Sequence, residues 1–388
     1  MSTNPVSMPE SVEPMPSLPA SASSTLKPLA DMRQLFELAF QRKASDIHLT
    51  EHTAPVLRID GTLVPTTMTP LTRDETKKLI YSLLTDRQKA QFERDLELDI
   101  SFEVAGLGRF RANVHLQRGS VEAAFRVVPS RIPSIQELGL PPVVLELARR
   151  PNGLVLITGP TGVGKTTTMA AMVDLINHER AHHIMIIEDP IEYVHKNHRS
   201  IIKQREVYSD TKSFASALVR VLRQDPNVIV VGEMRDLETI STAMTAAETG
   251  HLVLATLHTP DAAQTIDRIL DVFPPARQEE VKVQLSSCLQ GVVSQSLLPR
   301  ADRKGRVLAY EIMIATSAVR NLIREHATEQ ITTVLQTGAE HGMCTMDACL
   351  KSLYDQKVIT LDTALSRAKN PAELHSHGVA KPGHHLHK

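Results

Sequence analysis

The sequence contains no tryptophan and few other aromatic residues, which together make up 3% of its 388 positions. Its formal net charge is −1, so no overall positive field favours binding to nucleic acid or to an acidic membrane surface. Proteins that track single-stranded nucleic acid combine a basic groove with stacking aromatic side chains. This composition offers little of either, so a nucleic-acid translocase is disfavoured and no nucleic-acid partner is expected.

Cysteine and long apolar runs are also scarce. The three cysteines, Cys288, Cys344 and Cys349, are too few for a disulfide framework or for a four-cysteine zinc site within one chain. No apolar run approaches the roughly 18–20 residues that span a bilayer, and the first residues lack the features of a signal peptide. We therefore expect a cytoplasmic protein whose association with any membrane is peripheral.

Composition divides the chain into five segments. Residues 1–30 are rich in serine and proline, and residues 371–388 are polar and rich in histidine, so both are predicted to be poorly ordered tails. Residues 31–130 mix helical and short strand patterns and predict a small α+β domain with an antiparallel sheet. Prolines punctuate residues 131–152, which predict a linker. Residues 153–370 form the largest segment.

The segment 153–370 begins with short apolar strands that alternate with amphipathic helices. Continuous apolar runs are typical of parallel strands buried on both faces, and here they comprise Leu154–Thr158, Ile184–Ile187, Val228–Val231 and Leu252–Thr256. The alternation predicts a doubly wound α/β core. After Ala262 the pattern predicts a mainly helical chain.

A phosphate-binding motif follows the first of these apolar runs. The pattern G-x-x-x-x-G-K-[ST] is matched by Gly159, Pro160, Thr161, Gly162, Val163, Gly164, Lys165 and Thr166, with Thr167 next in the chain. Backbone N–H groups of such a loop surround the phosphates of ATP at the start of a helix. Lys165 is predicted to contact the β- and γ-phosphates, and Thr166 to ligate Mg²⁺.

Acidic residues follow two of the other predicted strands. Glu233 comes after one of them and is predicted to organise Mg²⁺. Glu188, Asp189 and Glu192 lie at the end of the other, where open α/β sheets bind ligands. A carboxylate there can orient or deprotonate the attacking water. The pattern does not distinguish among these three acids.

Histidines flank the fourth predicted strand. His251 precedes this strand and His258 follows it. From the end of the strand, His258 is predicted to sense the γ-phosphate. A structural hydrogen bond is the alternative role for either histidine.

With these motifs in place, the sequence resembles the ATPase superfamily of type II secretion and type IV pilus motors. Leu222–Asp236 is close to the signature of that superfamily, with Asn227 where aspartate is usual. Within it, the chain is similar to the PilT-type pilus retraction ATPases over residues 31–371, including the retraction-associated motif at Ala318–Glu325. Extension and secretion ATPases usually carry a four-cysteine zinc insert, which is absent here. A PilU-type accessory retraction ATPase is the nearest alternative.

The resemblance implies a RecA-like ATPase core that follows a PAS-like first domain. It implies that Glu192 is the catalytic base and that Glu233 acts on Mg²⁺ through water. It also implies catalytic roles for His258 and Lys165, with His251 completing a histidine box. A nucleotide-dependent switch or scaffold without motor activity is an alternative, but it would need no acid to activate water.

The resemblance further implies an assembly and its partners. In the implied homo-hexamer, the first domain of one subunit packs on the ATPase core of the next, and Arg109, Arg111 and Arg126 bring positive charge to the nucleotide. The implied partners are a PilC-like platform protein of the inner membrane and a PilU-like paralogue. The implied function is ATP-driven pilus retraction, and hence twitching motility, at the cytoplasmic face of that membrane.

Overall fold

The computed structural model describes residues 31–128 and 131–371, together with Leu374. The tails predicted at 1–30 and 371–388 lie almost entirely outside these residues. In the described part of the chain, no helix is both long enough and apolar enough to cross a membrane. The chain divides into two compact units, Met1–Val127 and Val128–Lys388.

The first unit is built on an antiparallel sheet. Its elements are α1 (Met32–Gln41), β1 (Asp46–Leu49), β2 (Val56–Ile59), β3 (Thr62–Pro65), α2 (Arg73–Tyr81), α3 (Asp86–Asp95), β4 (Glu97–Val104), β5 (Gly108–Gln117) and β6 (Ser120–Val127). The strands form one six-stranded sheet in the order β3-β2-β1-β6-β5-β4. Every neighbouring pair is antiparallel.

An aromatic cluster forms the centre of the first core. Leu35, Phe36 and Ala39 recur at helical spacing on α1 and are buried. The ring of Phe36 lies 4.4 Å from that of Phe110 and 5.5 Å from that of Phe125, measured between centroids. Aromatic pairs at such distances stabilise a core beyond the area that they bury. Phe36 is therefore one of the buried side chains that fix the helix to the sheet.

The second unit contains a larger sheet. Its strands are β7 (Gly153–Thr158), β8 (His183–Glu188), β9 (Ile201–Glu206), β10 (Val228–Val231), β11 (Leu252–Leu257), β12 (Leu289–Pro299) and β13 (Arg306–Ile314). Its helices are α4 (Val143–Ala148), α5 (Lys165–Glu179), α6 (Phe214–Val221), α7 (Leu237–Glu248), α8 (Ala262–Asp271), α9 (Pro275–Cys288), α10 (Ser317–Glu325), α11 (Ile331–Thr337), α12 (Met346–Asp355) and α13 (Leu361–Leu365), with 3₁₀ turns at Thr328–Gln330 and Ala339–His341.

This sheet is parallel except at one edge. The seven strands follow the order β13-β12-β7-β11-β10-β8-β9, and only the pairing of β12 with β13 is antiparallel among the described strands. Leu154 and Leu156 of β7 belong to one hydrophobic cluster, whereas Val155 and Ile157 belong to another. Because side chains alternate along a strand, both faces of the sheet are covered. The predicted α/β class with a doubly wound core is confirmed.

The chain after Ala262 differs from the mainly helical prediction, because β12 and β13 add two strands to the central sheet. Short apolar runs such as Leu289–Pro299 cannot be assigned to strand or helix by periodicity alone. Residues 131–152, which predicted a linker, include α4 and bury Val144 and Leu147 in the core of the second unit.

The burial of Phe36 generates a prediction about the stability of the first unit. Phe36→Ala should lower the free energy of unfolding by about 3–5 kcal/mol, since it removes a buried ring and leaves a cavity. Phe40→Ala is the matched control on the same helix, because that side chain is 47% exposed. Urea unfolding of both variants measures the effect. Equal destabilisation by the two substitutions would contradict the assignment of Phe36 to the core.

Candidate functional site

The candidate site lies at the edge of the second sheet where the parallel strands end. Leu257 of β11 pairs with Thr158 of β7, and Val231 of β10 pairs with Ile187 of β8. The residues that follow these strand ends therefore meet at one edge. They are the P-loop, His258, Glu233 and the acidic segment that begins at Glu188. Four separate sequence motifs are brought together by one set of strand pairings.

The P-loop connects β7 to α5 through tightly constrained backbone. Gly159 has a φ of +134°, and a Cβ atom added there would lie 2.4 Å from the carbonyl oxygen of Gln295. This position therefore accepts no side chain. The loop continues through Pro160, Thr161, Gly162, Val163 and Gly164, and α5 begins with Lys165, Thr166 and Thr167. The structure thus places the motif at the start of a helix, as a phosphate site requires.

The ammonium group of Lys165 is held inside the loop. Its Nζ donates hydrogen bonds to the carbonyl oxygens of Gly159 at 2.7 Å and of Pro160 at 3.0 Å. Burial lowers the pKa of Lys165, and the nearby charges of Glu233 and Glu192 oppose this shift. Both acids therefore lie within electrostatic range of the lysine. Phosphate oxygens could replace the two carbonyls as acceptors.

Glu233 forms the centre of an ionic network. Arg235 Nε lies 2.6 Å from Glu233 Oε1, and a second Arg235 nitrogen donates to Oε2 at 2.7 Å. His258 Nε2 lies 3.0 Å from the same Oε1, and His258 Nδ1 lies 3.4 Å from the hydroxyl of Thr161. Burial alone would raise the pKa of Glu233, but Arg235 and His258 hold it below its ordinary value. His258 thus connects an ionised carboxylate to the P-loop.

The three acids at the end of β8 occupy different environments. Glu188 is 6% exposed, and burial raises the pKa of its carboxyl group to about 8. Gln204 Nε2 donates to Glu188 Oε2 at 3.2 Å. Asp189 is exposed and adds to the negative field at Arg235, whereas Glu192 is half-buried and acts on Lys165. Of the three, Glu192 combines accessibility with proximity to the P-loop lysine.

Side chains to which sequence reasoning assigned no role hold this acidic segment in place. The hydroxyl of Tyr193 lies 3.1 Å from that of Thr167, so the segment is attached to the start of α5. Gln204 Nε2 also donates to the carbonyl oxygen of Tyr193 at 2.7 Å. Glu206 Oε2 accepts a hydrogen bond from the backbone of Ile191 at 3.1 Å. The available signal was weak: Gln204 and Glu206 are polar residues at one end of an otherwise unassigned strand.

A second supporting network lies beneath the P-loop. Thr158 Oγ1 donates to Ser294 Oγ at 2.8 Å, and Gln295 Nε2 donates to Thr168 Oγ1 at 2.7 Å. All four side chains are buried. Buried polar groups need partners, so these bonds fix β12 against β7 and α5. Sequence reasoning missed Ser294 and Gln295 because it did not predict β12.

The structure does not bring the two histidines together. His251 precedes β11 and His258 follows it, so roughly 20 Å of extended strand separates them. His251 Nδ1 lies 2.9 Å from the carbonyl oxygen of Ala246, and the side chain lines a cavity of about 340 Å³ at the opposite edge of the sheet. This contact matches the structural alternative for His251.

The three predicted arginines belong to the first unit. Arg111 on β5 pairs with Arg126 on β6, and Arg109 lies two residues before Arg111 on the same face of β5. Like charges at paired positions repel. Asp46 relieves this repulsion, since its Oδ1 lies 2.9 Å from Arg126 Nε. Glu103 of β4 pairs with Arg109, so acidic and basic side chains share this face of the first sheet.

Known proteins resemble this chain over most of its length. The chain matches the family described as type II/IV secretion system protein over residues 22–369. It is 48% identical over 341 residues to the type IV pilus retraction ATPase PilT of Pseudomonas aeruginosa, covering 88% of this chain and 99% of that protein. It is 38% identical over 344 residues to the type IV pilus ATPase PilU of the same organism, covering 89% and 90% respectively.

A solved structure is similar over the same extent. The crystal structure of the pilus retraction motor PilT with bound ADP has a TM-score of 0.85 and 50% sequence identity to this chain. The match covers 89% of this chain and 99% of the other. The two-sheet α/β architecture is therefore shared with that motor.

The raised pKa of Glu188 predicts how the stability of the protein depends on pH. The ordinary pKa of a glutamate is 4.5, and the pKa of Glu188 in the folded protein is about 8. Between these two pH values the folded state therefore binds more protons than the unfolded state. The contribution of Glu188 to stability is full below about pH 4.5 and is lost as the pH rises towards 8. Glu188→Gln removes this loss because the amide stays neutral.

Urea unfolding at pH 5.5, 6.5 and 7.5 measures the effect. We expect Glu188→Gln to gain stability relative to the parent as the pH rises, by at most about 1.4 kcal/mol per pH unit. Glu280→Gln is the control, because its carboxylate lies on the surface with its side chain 74% exposed. If the stability difference between Glu188→Gln and the parent does not change with pH, the raised pKa of Glu188 is contradicted.

Proposed function

This chain belongs to the type II/IV secretion system protein family, and we propose that it is a hexameric motor ATPase that couples ATP hydrolysis to type IV pilus retraction. Its similarity to a pilus retraction ATPase over 88% of the chain supports this function. The observation that carries the proposal is structural. The P-loop that carries Lys165 follows β7, Glu233 follows β10 and Glu192 follows β8, so all three lie at the same edge of the second sheet.

The residues of the P-loop suit the binding of a nucleoside triphosphate. The loop backbone from Gly159 to Gly164 would surround the phosphates, and Lys165 would exchange its two carbonyl acceptors for phosphate oxygens. The hydroxyl of Thr166 and the carboxylate of Glu233 are oxygen ligands of the kind that Mg²⁺ prefers, with Glu233 acting through water. Mg²⁺ bound there would neutralise charge on the phosphates.

Glu192 is the proposed general base. Its carboxylate would accept a proton from water while the water oxygen attacks the γ-phosphorus, and the bond to ADP breaks as phosphate leaves. Glu188 would not compete for this proton, because its pKa of about 8 keeps it largely neutral at pH 7. Tyr193, the residue after Glu192, contacts Thr167 at the start of α5. This contact supports a fixed position for Glu192.

His258 is the proposed sensor of the γ-phosphate. It contacts Glu233 and Thr161 together, so it joins the end of β10 to the P-loop. A change of charge at the phosphate would alter both contacts. Since Glu233 also binds Arg235, the change would extend to the start of the segment that leads into α7. This gives hydrolysis a route to a change in conformation.

Three arginines that share one face of the first unit are the basis of the proposed hexameric arrangement. We propose that Arg109, Arg111 and Arg126 contribute charge to the nucleotide of a neighbouring subunit. A hydrolytic site commonly uses an arginine in this way, with a gain of roughly 10³–10⁵ in rate. Arg111 and Arg126 are paired across β5 and β6, so both side chains lie on the same face of the first sheet.

Retraction is the proposed output, and the proposed partner is a platform protein of the inner membrane. The higher identity to PilT than to PilU supports the retraction motor over the accessory PilU-type role, and a PilU-like paralogue is a further proposed partner. The retraction-associated motif Ala318–Glu325 lies on α10. Its Arg320 donates to the carbonyl oxygens of Ser286 and Ser287 at the end of α9. Asn321 of α10 is exposed and accessible to a partner.

Substitution of Glu192 tests the catalytic part of the proposal. Glu192→Gln should lower kcat by about 10²–10⁴-fold, because the amide accepts no proton. ATP binding should persist, since the P-loop is unchanged. Asp189→Asn is the matched control in the same segment and should retain activity within a few-fold. A steady-state ATPase assay with a fluorescent nucleotide titration measures both quantities.

The cellular outcome tests the motor part. Bacteria whose own copy carries Glu192→Gln should assemble pili but fail to retract them, as seen by imaging labelled pili. Loss of pili would instead indicate an assembly motor. Normal retraction in such cells would contradict the proposed function directly.

A further inference from the structure

Three side chains that can bind a metal ion converge near the end of α5. Among the described residues, Asp174, His178 and His198 form a group whose ligand atoms all lie within 4.8 Å of one another. Asp174 and His178 lie 9 and 13 residues after Lys165 on α5, which is roughly 14–20 Å along the helix axis. The group is therefore separate from the nucleotide site.

Helical spacing fixes the first two ligands. Residues four apart lie on the same face of a helix, and His178 Nδ1 lies 3.5 Å from Asp174 Oδ2. The same Nδ1 lies 2.8 Å from the backbone carbonyl oxygen of Asp174. A carbonyl oxygen only accepts, so Nδ1 is the donor of this hydrogen bond and Nε2 is the ring nitrogen left to face an ion. Histidines that bind metal are commonly oriented by such a bond from the second ring nitrogen.

The third ligand is positioned by a buried asparagine. Asn177 is 0% exposed, and its side chain donates to the carbonyl oxygen of Lys196 at 2.8 Å and accepts from the backbone of His198 at 3.0 Å. The rings of His178 and His198 consequently stack, with centroids 4.0 Å apart and an angle of 29° between planes. Two segments distant in sequence are thus held with their imidazoles side by side.

The donor set indicates the class of ion. Two imidazole nitrogens and one carboxylate oxygen suit zinc and related transition metals, which take such ligands at about 2.0–2.2 Å. Magnesium and calcium prefer oxygen ligands throughout. Both histidines are exposed, so their side chains can rotate to shorten the present separations and a water molecule can complete a tetrahedron.

We propose that Asp174, His178 and His198 form a binding site for one zinc-class divalent ion. The ion would attach the segment that carries His198 to the end of α5. The same segment begins beside Glu188 and contains Glu192, and Tyr193 already contacts Thr167 at the start of α5. A bound ion would therefore fasten this segment at a second point along the same helix.

Titration of the full-length chain with Zn²⁺ tests this site. The five histidines of the C-terminal tail should be replaced by asparagine in every protein compared, so that the tail contributes nothing; they are His375, His377, His384, His385 and His387. Competition against a chromogenic chelator, without nucleotide, then measures affinity. We expect one equivalent to bind to this parent chain.

Removal of either histidine should weaken that binding. His178→Ala and His198→Ala should each lower the affinity by roughly 100-fold or more, since even residues outside the ligand shell commonly contribute 10–100-fold. His341→Ala is the matched control, because His341 lies 3.6 Å from the carboxylate of Glu340 but belongs to no such group in the described residues. A parent chain that binds no Zn²⁺, or histidine variants that bind like the parent, would overturn the site.

Hydrogen exchange locates the ion independently. Zn²⁺ should slow amide exchange in residues 194–200 of the parent, but not in His198→Ala, and Mg²⁺ should have no such effect. Retained ATPase activity shows that the variants are folded. Protection at another segment with none in residues 194–200 would overturn the proposal, while leaving the proposed ATPase function unaffected.

Discussion

The parallel pairing of β7, β11, β10 and β8 is the constraint on which the candidate site depends. These strands are mostly apolar and buried on both faces, so the charged side chains of the site appear where the strands end. The register aligns Leu257 with Thr158 and Val231 with Ile187. Because the strands run in the same direction, four separate loops meet at one edge. A shift in the register of any of these strand pairs would move Lys165, His258 and the acids apart.

The environment of each acid at this edge determines its role. Arg235 and His258 keep Glu233 ionised despite its burial, which suits a group that organises a cation. Glu188 lies one strand away, where burial raises its pKa and it tends to hold a proton. Pairs of acids whose environments push their pKa values apart are typical of catalytic sites. Glu192 is half-buried and lies within electrostatic range of Lys165.

The chemistry-bearing motifs could be read from the sequence, but the contacts that position them could not. The P-loop follows an apolar strand and precedes a helix, so its local context is visible in the chain. Strand order is not local, and nothing in the sequence indicates that β11 lies between β7 and β10. Gln295 acts through Thr168, which is distant in sequence, and Gln204 offered only the weak signal of a polar residue at the end of an unassigned strand. The polar helix α3 was missed because Phe92 is its one fully buried side chain.

The central claim is that Lys165, Glu192 and Glu233 act on one bound triphosphate. A crystal structure of the full chain with Mg²⁺ and a non-hydrolysable ATP analogue tests this most directly. We predict that Lys165 Nζ leaves the carbonyl oxygens of Gly159 and Pro160 for the β- and γ-phosphates. Glu233 should then lie one water molecule from the cation, and Glu192 should face the γ-phosphate. A nucleotide bound elsewhere, with Lys165 still bonded to both carbonyls, would contradict the account.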